Sequence, residues 1–225
     1  MTEKSSKEKI EEAKKIYHLD AFRAHMRGMQ GFTDEDFEKI TPIIKTKIIN
    51  SKETNPLEMF ENILHEISLE WKKPTFPVHA DWHHFMVPGV IMASLRNCGY
   101  SINDKDIEEA MMRGEKFMGG SCGFAGTCGG AYSVGIILSI VKKTTPLHEN
   151  ERSDIMQAVA GTLHEIAQYP RRCCKRSSYT SIQMAVKHLN DNGYEKISCG
   201  TITCRWSSQN KMCLGLKCPF FQRKP

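Results

Sequence analysis

Residues 118–141 read MGGSCGFAGTCGGAYSVGIILSIV, a turn with six glycines and two cysteines that runs into an almost unbroken apolar segment. Glycine permits positive φ and a close approach of the backbone to a ligand. The apolar segment predicts a buried helix whose free N–H groups and positive dipole end lie at Cys128–Ala131. A thiolate, a phosphate or a metal–sulfur cluster is favoured at such a helix start.

These residues form the first set of candidate site residues. The candidate metal ligands are Cys122 and Cys128, and the candidate cofactor-binding glycines are Gly120, Gly123, Gly126 and Gly129. The alternative is a glycine-rich turn before a buried helix, with the two cysteines acting as small apolar residues.

Length and cysteine content limit the classes of protein to consider. The chain has 225 residues and nine cysteines, which fits one domain or one domain with a small appendage. The charged start at 1–7 lacks the apolar segment of a secretory leader, and the longest apolar run is shorter than the ~20 residues of a membrane span. We therefore expect a cytoplasmic protein with no membrane partner. An odd number of cysteines in that compartment favours metal ligation or thiol chemistry over disulfides.

Charge is concentrated at the C-terminal end. Residues 171–225 carry eleven lysines and arginines against two acids. This excess can offset metal-bound thiolates, since four cysteinates around one zinc ion leave a charge of about −2. It could also contact nucleic acid, but few aromatic residues are interleaved with these cations, which weakens that alternative.

Apolar periodicity predicts a mainly α-helical protein. The expected fold is a multi-helix domain around a buried central helix, with a small cysteine-rich, metal-binding C-terminal segment. We divide it into an N-terminal helical region (1–73), a helical core with the glycine- and cysteine-rich site (74–194) and a cysteine-rich tail (195–225). Near the start, 7–27 reads as one surface helix, Thr33–Asp36 as a capping box and Thr41–Pro42 as a further helix start.

A segment between prolines contains a cluster of possible donors. It carries His79, Asp81, His83 and His84. Imidazole and carboxylate groups bind zinc or iron, and histidine is also a general base near neutral pH. We take His83 and His84, ahead of His79, as candidate catalytic residues or alternative metal ligands. Otherwise Asp81 caps a helix and the histidines lie on its surface.

Cys173 and Cys174 are adjacent at a predicted helix start and have four cations around them. Both features lower a thiol pKa, so we predict that both are catalytic residues or metal ligands. Consecutive residues at a helix start point roughly 100° apart. One thiol should therefore face the glycine-rich turn while the other packs or acts as a resolving thiol. Lys175 and Arg176 are candidate cofactor-binding residues.

The tail contains four cysteines in two pairs. Cys199, Cys204, Cys213 and Cys218 are separated by four, eight and four residues. Paired cysteines in a segment poor in apolar residues predict a structural metal site. The spacing does not choose between zinc and an iron–sulfur cluster, although Cys218–Pro219 also occurs in cluster motifs.

Several of these motifs together resemble a known family. The chain is similar, over 75–221, to an uncharacterised cysteine-rich domain family of methanogenic archaea and anaerobic bacteria, sometimes attached to S-adenosylmethionine-dependent methyltransferases. The residues that carry the resemblance are His83–His84, Pro88, Gly120–Gly130, Pro146, Pro170–Arg176 and Cys213–Phe221. The resemblance implies an anaerobic setting and a methyltransferase as a possible partner. It implies no reaction.

We expect a metal-binding protein that carries a 4Fe-4S iron–sulfur cluster or zinc. Thiol, sulfur-transfer or redox chemistry on a small-molecule or sulfur-carrying substrate would take place at Cys122, Cys128, Cys173 and Cys174. The alternative is a metal-binding module without enzymatic activity, whose basic end binds a partner protein, a methyltransferase or nucleic acid.

Overall fold

The computed structural model of the chain describes residues 5–73 and 75–221. Met1–Lys4, where the absence of a leader was expected, and Pro74, the predicted boundary of the core region, lie outside the described residues, as do the last four positions of the tail.

The prediction of a mainly helical fold is confirmed. The described residues form ten α-helices and one 3-10 turn, with a single β-bridge between Cys204 and Phe221. The helices are α1 (Ser6–Ala13), α2 (Leu19–Gln30), α3 (Asp34–Asn50), α4 (Pro56–Glu70), α5 (His83–Asn97), α6 (Asp104–Glu115), α7 (Ser121–Phe124), α8 (Gly129–Val141), α9 (Glu149–Ala167) and α10 (Cys174–Asn190). Among the described residues, no helix has both the length and the apolar character that a membrane crossing requires.

Local capping explains where several helices begin. Thr33 forms a capping box with Asp36 at the start of α3, and Asn103 forms one with Asp106 at the start of α6. The Asn55 side chain accepts hydrogen bonds from the first turn of α4. In each case a side-chain oxygen satisfies backbone N–H groups that have no partner inside the helix.

Two predicted features of the N-terminal region are wrong. The surface helix expected over 7–27 is two helices, because α1 ends at Ala13 and α2 begins after His18, which has extended backbone angles. Pro42 lies inside α3 and does not start a helix. A proline removes one helical hydrogen bond. Here the capping box at Thr33 and a continuous buried face of Ile40, Ile44 and Ile48 hold the helix together across it.

Helix α5 is almost entirely buried. It packs against α3, α4, α6, α8 and α10, and every residue from Phe85 to Leu95 is buried. The apolar helix α8 packs in turn against α5, α9 and α10. A single hydrophobic cluster extends from Phe32 to Phe220, so residues of all three predicted regions contribute to one core.

The tail is anchored to this core through a buried carboxylate. Glu61 of α4 accepts hydrogen bonds from Tyr179 of α10 at 2.5 Å and from the indole N–H of Trp206 in the tail at 2.9 Å. Both aromatic side chains are almost fully buried. Since burying a carboxylate is unfavourable without such donors, these contacts fix the tail against α4 and α10.

Candidate functional site

A cavity of about 830 Å³ lies where the starts of α8 and α10 meet. One wall is the glycine-rich turn with α7, and another is the end of α9 with the turn into α10. The α1–α2 segment closes a third side through Ala13, Ile16, Tyr17 and Phe22. The volume falls within the range of small-molecule sites, about 300–1,000 Å³.

Four cysteines line this cavity: Cys122 of α7, Cys128 at the start of α8, and the adjacent Cys173 and Cys174 at the start of α10. Cys122, Cys128 and Cys174 are electrostatic neighbours of one another, and we refer to these three as the cavity thiols. Cys122 is exposed, whereas Cys128 and Cys174 are partly buried. Two helix N-termini therefore direct free N–H groups and positive dipole ends at the same place. The structure brings together the glycine-rich turn and the adjacent cysteines.

The expectation that the surrounding cations lower the pKa of Cys173 and Cys174 is wrong for the free protein, because burial raises the pKa of both thiols. Burial raises the pKa of Cys174 to about 12, which exceeds the lowering effect of Arg172, and the neighbouring Cys122 and Cys128 raise it further. Burial likewise raises the pKa of Cys128. Removing a thiolate from water is more unfavourable than the nearby cations can offset. The thiols of Cys128 and Cys174 are therefore protonated in the free protein, and a metal ion would have to displace their protons.

Arg172 places a buried positive charge among these thiols. Burial disfavours its charge, but the neighbouring Cys174 and Cys122, together with Asp81, raise the pKa of its guanidinium. Its Nε and Nη1 atoms are buried and have no hydrogen-bond partner among the described residues. A guanidinium with free buried donors binds anions strongly.

Both predicted catalytic histidines line the cavity. His83 donates from Nδ1 to the Ala80 carbonyl at 2.7 Å, and its buried Nε2 has no partner within the described part of the chain. His84 donates from Nδ1 to the Phe117 carbonyl at 3.0 Å. Burial lowers the pKa of both rings, most strongly that of His83. Both rings are therefore neutral near pH 7, with Nε2 left as an acceptor or a metal ligand.

The glycines of the turn have different roles. Gly129 is required by packing, because a Cβ atom there would collide with the His84 ring. Gly120 and Gly126 have φ of +90° and +63°, which favour glycine. Gly123 lines the cavity with open space around it. The turn thus allows the thiols and His84 to come close together, and Gly123 leaves room for a ligand.

Cys173 and Cys174 face different surroundings. Cys173 is buried, touches the cavity wall and accepts hydrogen bonds at Sγ from the Arg176 N–H and from Asn210 Nδ2, at 3.5 and 3.4 Å. Asn210 belongs to the tail, so the Cys173 thiol lies on the tail side and the Cys174 thiol on the cavity side. Lys175 lines only the tail-side space, whereas Arg176 borders both spaces and stacks on Tyr169.

The tail cysteines are only partly grouped as predicted. Cys204, Cys213 and Cys218 line a second, much smaller space of about 10 Å³, and their fourth thiol neighbour there is Cys173. Cys199 does not line this space; it is partly buried against the hydrophobic core. Across 5–73 and 75–221, no three His, Cys, Asp or Glu side chains stand close enough to hold a single metal ion as they are.

His79, which the sequence ranked behind His83 and His84, and Asn210, which it did not single out, connect the two groups of thiols. His79 accepts the Cys174 N–H at Nδ1, at 3.4 Å, and contacts Asn210 Oδ1 through Nε2 at 3.2 Å. Asn210 then donates to Cys173. The cluster of histidines between prolines pointed to His79 as a possible functional residue. Nothing near Asn210 in the sequence indicated a role for it, because its partners His79 and Cys173 are far away along the chain.

The profile of a family described as "Family of unknown function (DUF5714)" matches residues 44–221. The match includes all three cavity thiols, both histidines and the tail cysteines. No curated protein and no solved structure matches the chain.

Proposed function

The chain belongs to this DUF5714 family of unknown function, and from the cavity itself we propose that it is an iron–sulfur protein that acts on a small anionic molecule. Cys122, Cys128 and Cys174 would hold the cluster in the cavity wall. The anaerobic setting and the methyltransferase partner implied by the resemblance remain predictions. An anaerobic setting would suit an oxygen-sensitive iron–sulfur cluster.

The convergence of three thiols on one small-molecule-sized cavity supports this proposal most strongly. In tetrahedral zinc sites the sulfurs stand about 3.8 Å apart, since Zn–S bonds are about 2.3 Å long. An iron–sulfur cluster separates its cysteine ligands further than one ion does, because several irons and sulfides lie between them. The cavity of about 830 Å³ has room for such a group beside the thiols, which favours a cluster over a single zinc ion here.

Three protein ligands leave a metal position open for another ligand, as in catalytic metal sites generally. Room for that ligand exists in the cavity, and Arg172 supplies free buried donors for a negatively charged group. The neutral His83 and His84 present acceptor nitrogens to the same space. This arrangement supports thiol, sulfur-transfer or redox chemistry more than a purely structural role, which would not require an open cavity beside the ligands.

Anaerobic purification followed by iron, sulfide and visible-absorption measurements tests the proposal. We expect cluster absorption and iron in the wild-type protein, and loss of both in Cys122→Ser, Cys128→Ser and Cys174→Ser. The matched control is Cys98→Ser, which changes a partly buried cysteine at the end of α5 away from the cavity. If the wild-type protein lacks iron after anaerobic reconstitution, or if the three variants retain it, the proposal is wrong.

A further inference from the structure

Four thiols, one from the core and three from the tail, surround the small space described above. Cys173 precedes α10, whereas Cys204, Cys213 and Cys218 belong to the irregular tail. Asn210 of the tail also donates a hydrogen bond to the Cys173 Sγ atom, at 3.4 Å. Thus Cys173 shares one space with three tail thiols that follow it by more than thirty positions in the sequence.

A fully buried lysine lies beside these thiols and has no hydrogen-bond partner among the residues that the structure describes. Lys175 has 0 % exposure, and its Nζ is unpaired within 5–73 and 75–221. The ammonium group lies 4.6 Å from the centre of the Trp206 ring and also faces Phe60 and Phe76. It lines the same space as the four thiols. A buried ammonium is unfavourable unless negative charge lies close to it. The Glu61 carboxylate is one such charge, and thiolates at Cys204 and Cys173 would add to it.

We infer that Cys173, Cys204, Cys213 and Cys218 form a second, closed metal site that takes one zinc ion, with Lys175 as its charge partner. Four thiolates and Zn²⁺ carry a net charge of about −2, which a buried ammonium partly offsets. A space of about 10 Å³ holds about one water-sized particle and is too small for a cluster. The inference does not depend on the proposed function of the cavity.

Zinc binding must draw the thiols together, because they do not yet have the spacing of ligands to one ion. The segment between the buried Trp206 and Phe220, which carries Cys213 and Cys218, is where this movement can occur. Between 191 and 221 the only regular elements are the 3-10 turn Gly215–Lys217 and the bridge at Cys204. Hydrogen bonds already support two of the thiols: Gly215 N–H donates to Cys213 at 3.4 Å, and Asn210 donates to Cys173. Outer contacts of this kind orient metal ligands.

The first experiment uses the unmodified full chain, so that no variant has to fold. The reduced, zinc-free protein is alkylated with N-ethylmaleimide with and without added Zn²⁺, and the labelled cysteines are identified by peptide mass spectrometry. We expect zinc to protect Cys173, Cys204, Cys213 and Cys218 and to leave Cys199 reactive. Protection of Cys199 in place of Cys173 would overturn the inference.

The second experiment measures zinc affinity by competition with a chromophoric chelator. Serine at any of the four positions should weaken binding by about a hundredfold or more, whereas Cys199→Ser and Cys122→Ser should bind as tightly as the wild type. Lys175→Met should weaken binding by about tenfold while leaving the zinc-free fold intact, since methionine fills a similar apolar volume. An unchanged affinity in Lys175→Met would refute the charge-partner role.

Metal analysis of the same variants separates this inference from the proposed function. Tail variants should lose zinc and keep iron, and cavity variants should lose iron and keep zinc. If the tail variants lose iron and sulfide instead, the assignment of a single zinc ion is wrong, whatever the cavity binds.

Discussion

At the scale of single residues, burial affects the pKa of the cavity thiols Cys128 and Cys174 more than the neighbouring charges do. Four basic residues flank Cys173 and Cys174, yet only Arg172 among them has a substantial effect on the Cys174 thiol, and burial exceeds that effect. Lys175 points to the tail side, and Arg176 stacks on Tyr169. The sequence showed that these cations are near the two cysteines along the chain, but it did not show in which direction each basic side chain points.

Arg172 should set the electronic properties of the proposed cluster. Arg172→Met removes the positive charge nearest to Cys174, so the reduced, more negative cluster loses stabilisation. We expect a more negative midpoint potential in an anaerobic redox titration followed by visible absorption. Arg152→Met is the matched control, because Arg152 is exposed, does not line the cavity and should leave the potential unchanged. Equal shifts in both variants would contradict a specific role for Arg172.

At the scale of helices, local signals were readable in the sequence and long-range contacts were not. Caps such as Thr33 and Asn103 act within one turn, so the starts of α3 and α6 could be predicted. The helix start predicted at Pro42 was wrong, because α3 continues past this proline. The buried face that stabilises α3 there depends on tertiary packing, which the local sequence does not show. Likewise, the adjacent positions of Cys173 and Cys174 predicted that their side chains point in different directions. Only the folded structure shows that Asn210 and Cys218 of the tail are the neighbours of Cys173.

Close helix packing makes Gly114 of α6 sensitive to substitution. A Cβ atom there would collide with the backbone of His84 and Phe85 in α5. Because backbone cannot move as a side chain can, Gly114→Ala should destabilise the protein by about 1–3 kcal/mol or more, as overpacked cores do. Chemical denaturation measures the change.

Gly161 of α9 is the matched control for this substitution. It is exposed, and a Cβ atom added there would have nothing within 4 Å. Gly161→Ala should therefore raise the free energy of unfolding by up to about 1 kcal/mol, through helix propensity alone. Opposite signs for the two variants are expected, and destabilisation of similar size in both would count against the packing argument.

At the scale of the whole molecule, one hydrophobic core joins parts that differ in how they are stabilised. Helix α5 is held by burial on all sides. The tail has little regular structure and is attached through Glu61, Asn210 and its cysteines. The helical fold class could be predicted from apolar periodicity. The proximity of Cys173 to the tail cysteines could not, because it depends on long-range contacts such as the Asn210–Cys173 hydrogen bond.

Removal of the proposed zinc ion should therefore increase local opening in the tail and leave helix α5 unaffected. With a zinc chelator, hydrogen exchange measured by mass spectrometry should speed up over 197–221 and over 169–174, which the His79–Asn210 contacts connect to the tail. Exchange in Phe85–Leu95 should stay slow, because that segment is buried independently of the metal. Faster exchange throughout α5, or none in the tail, would contradict this division.

The α1–α2 side of the cavity has an evolutionary consequence. The family match begins at residue 44 and contains the three cavity thiols, whereas Ala13, Ile16, Tyr17 and Phe22 precede it. The cavity thiols and part of the enclosing wall are thus encoded in separate stretches of the gene. Mutation in the early stretch can reshape which molecules enter the cavity without disturbing the thiols, so, under the proposed function, a change of substrate can arise while the chemistry is preserved.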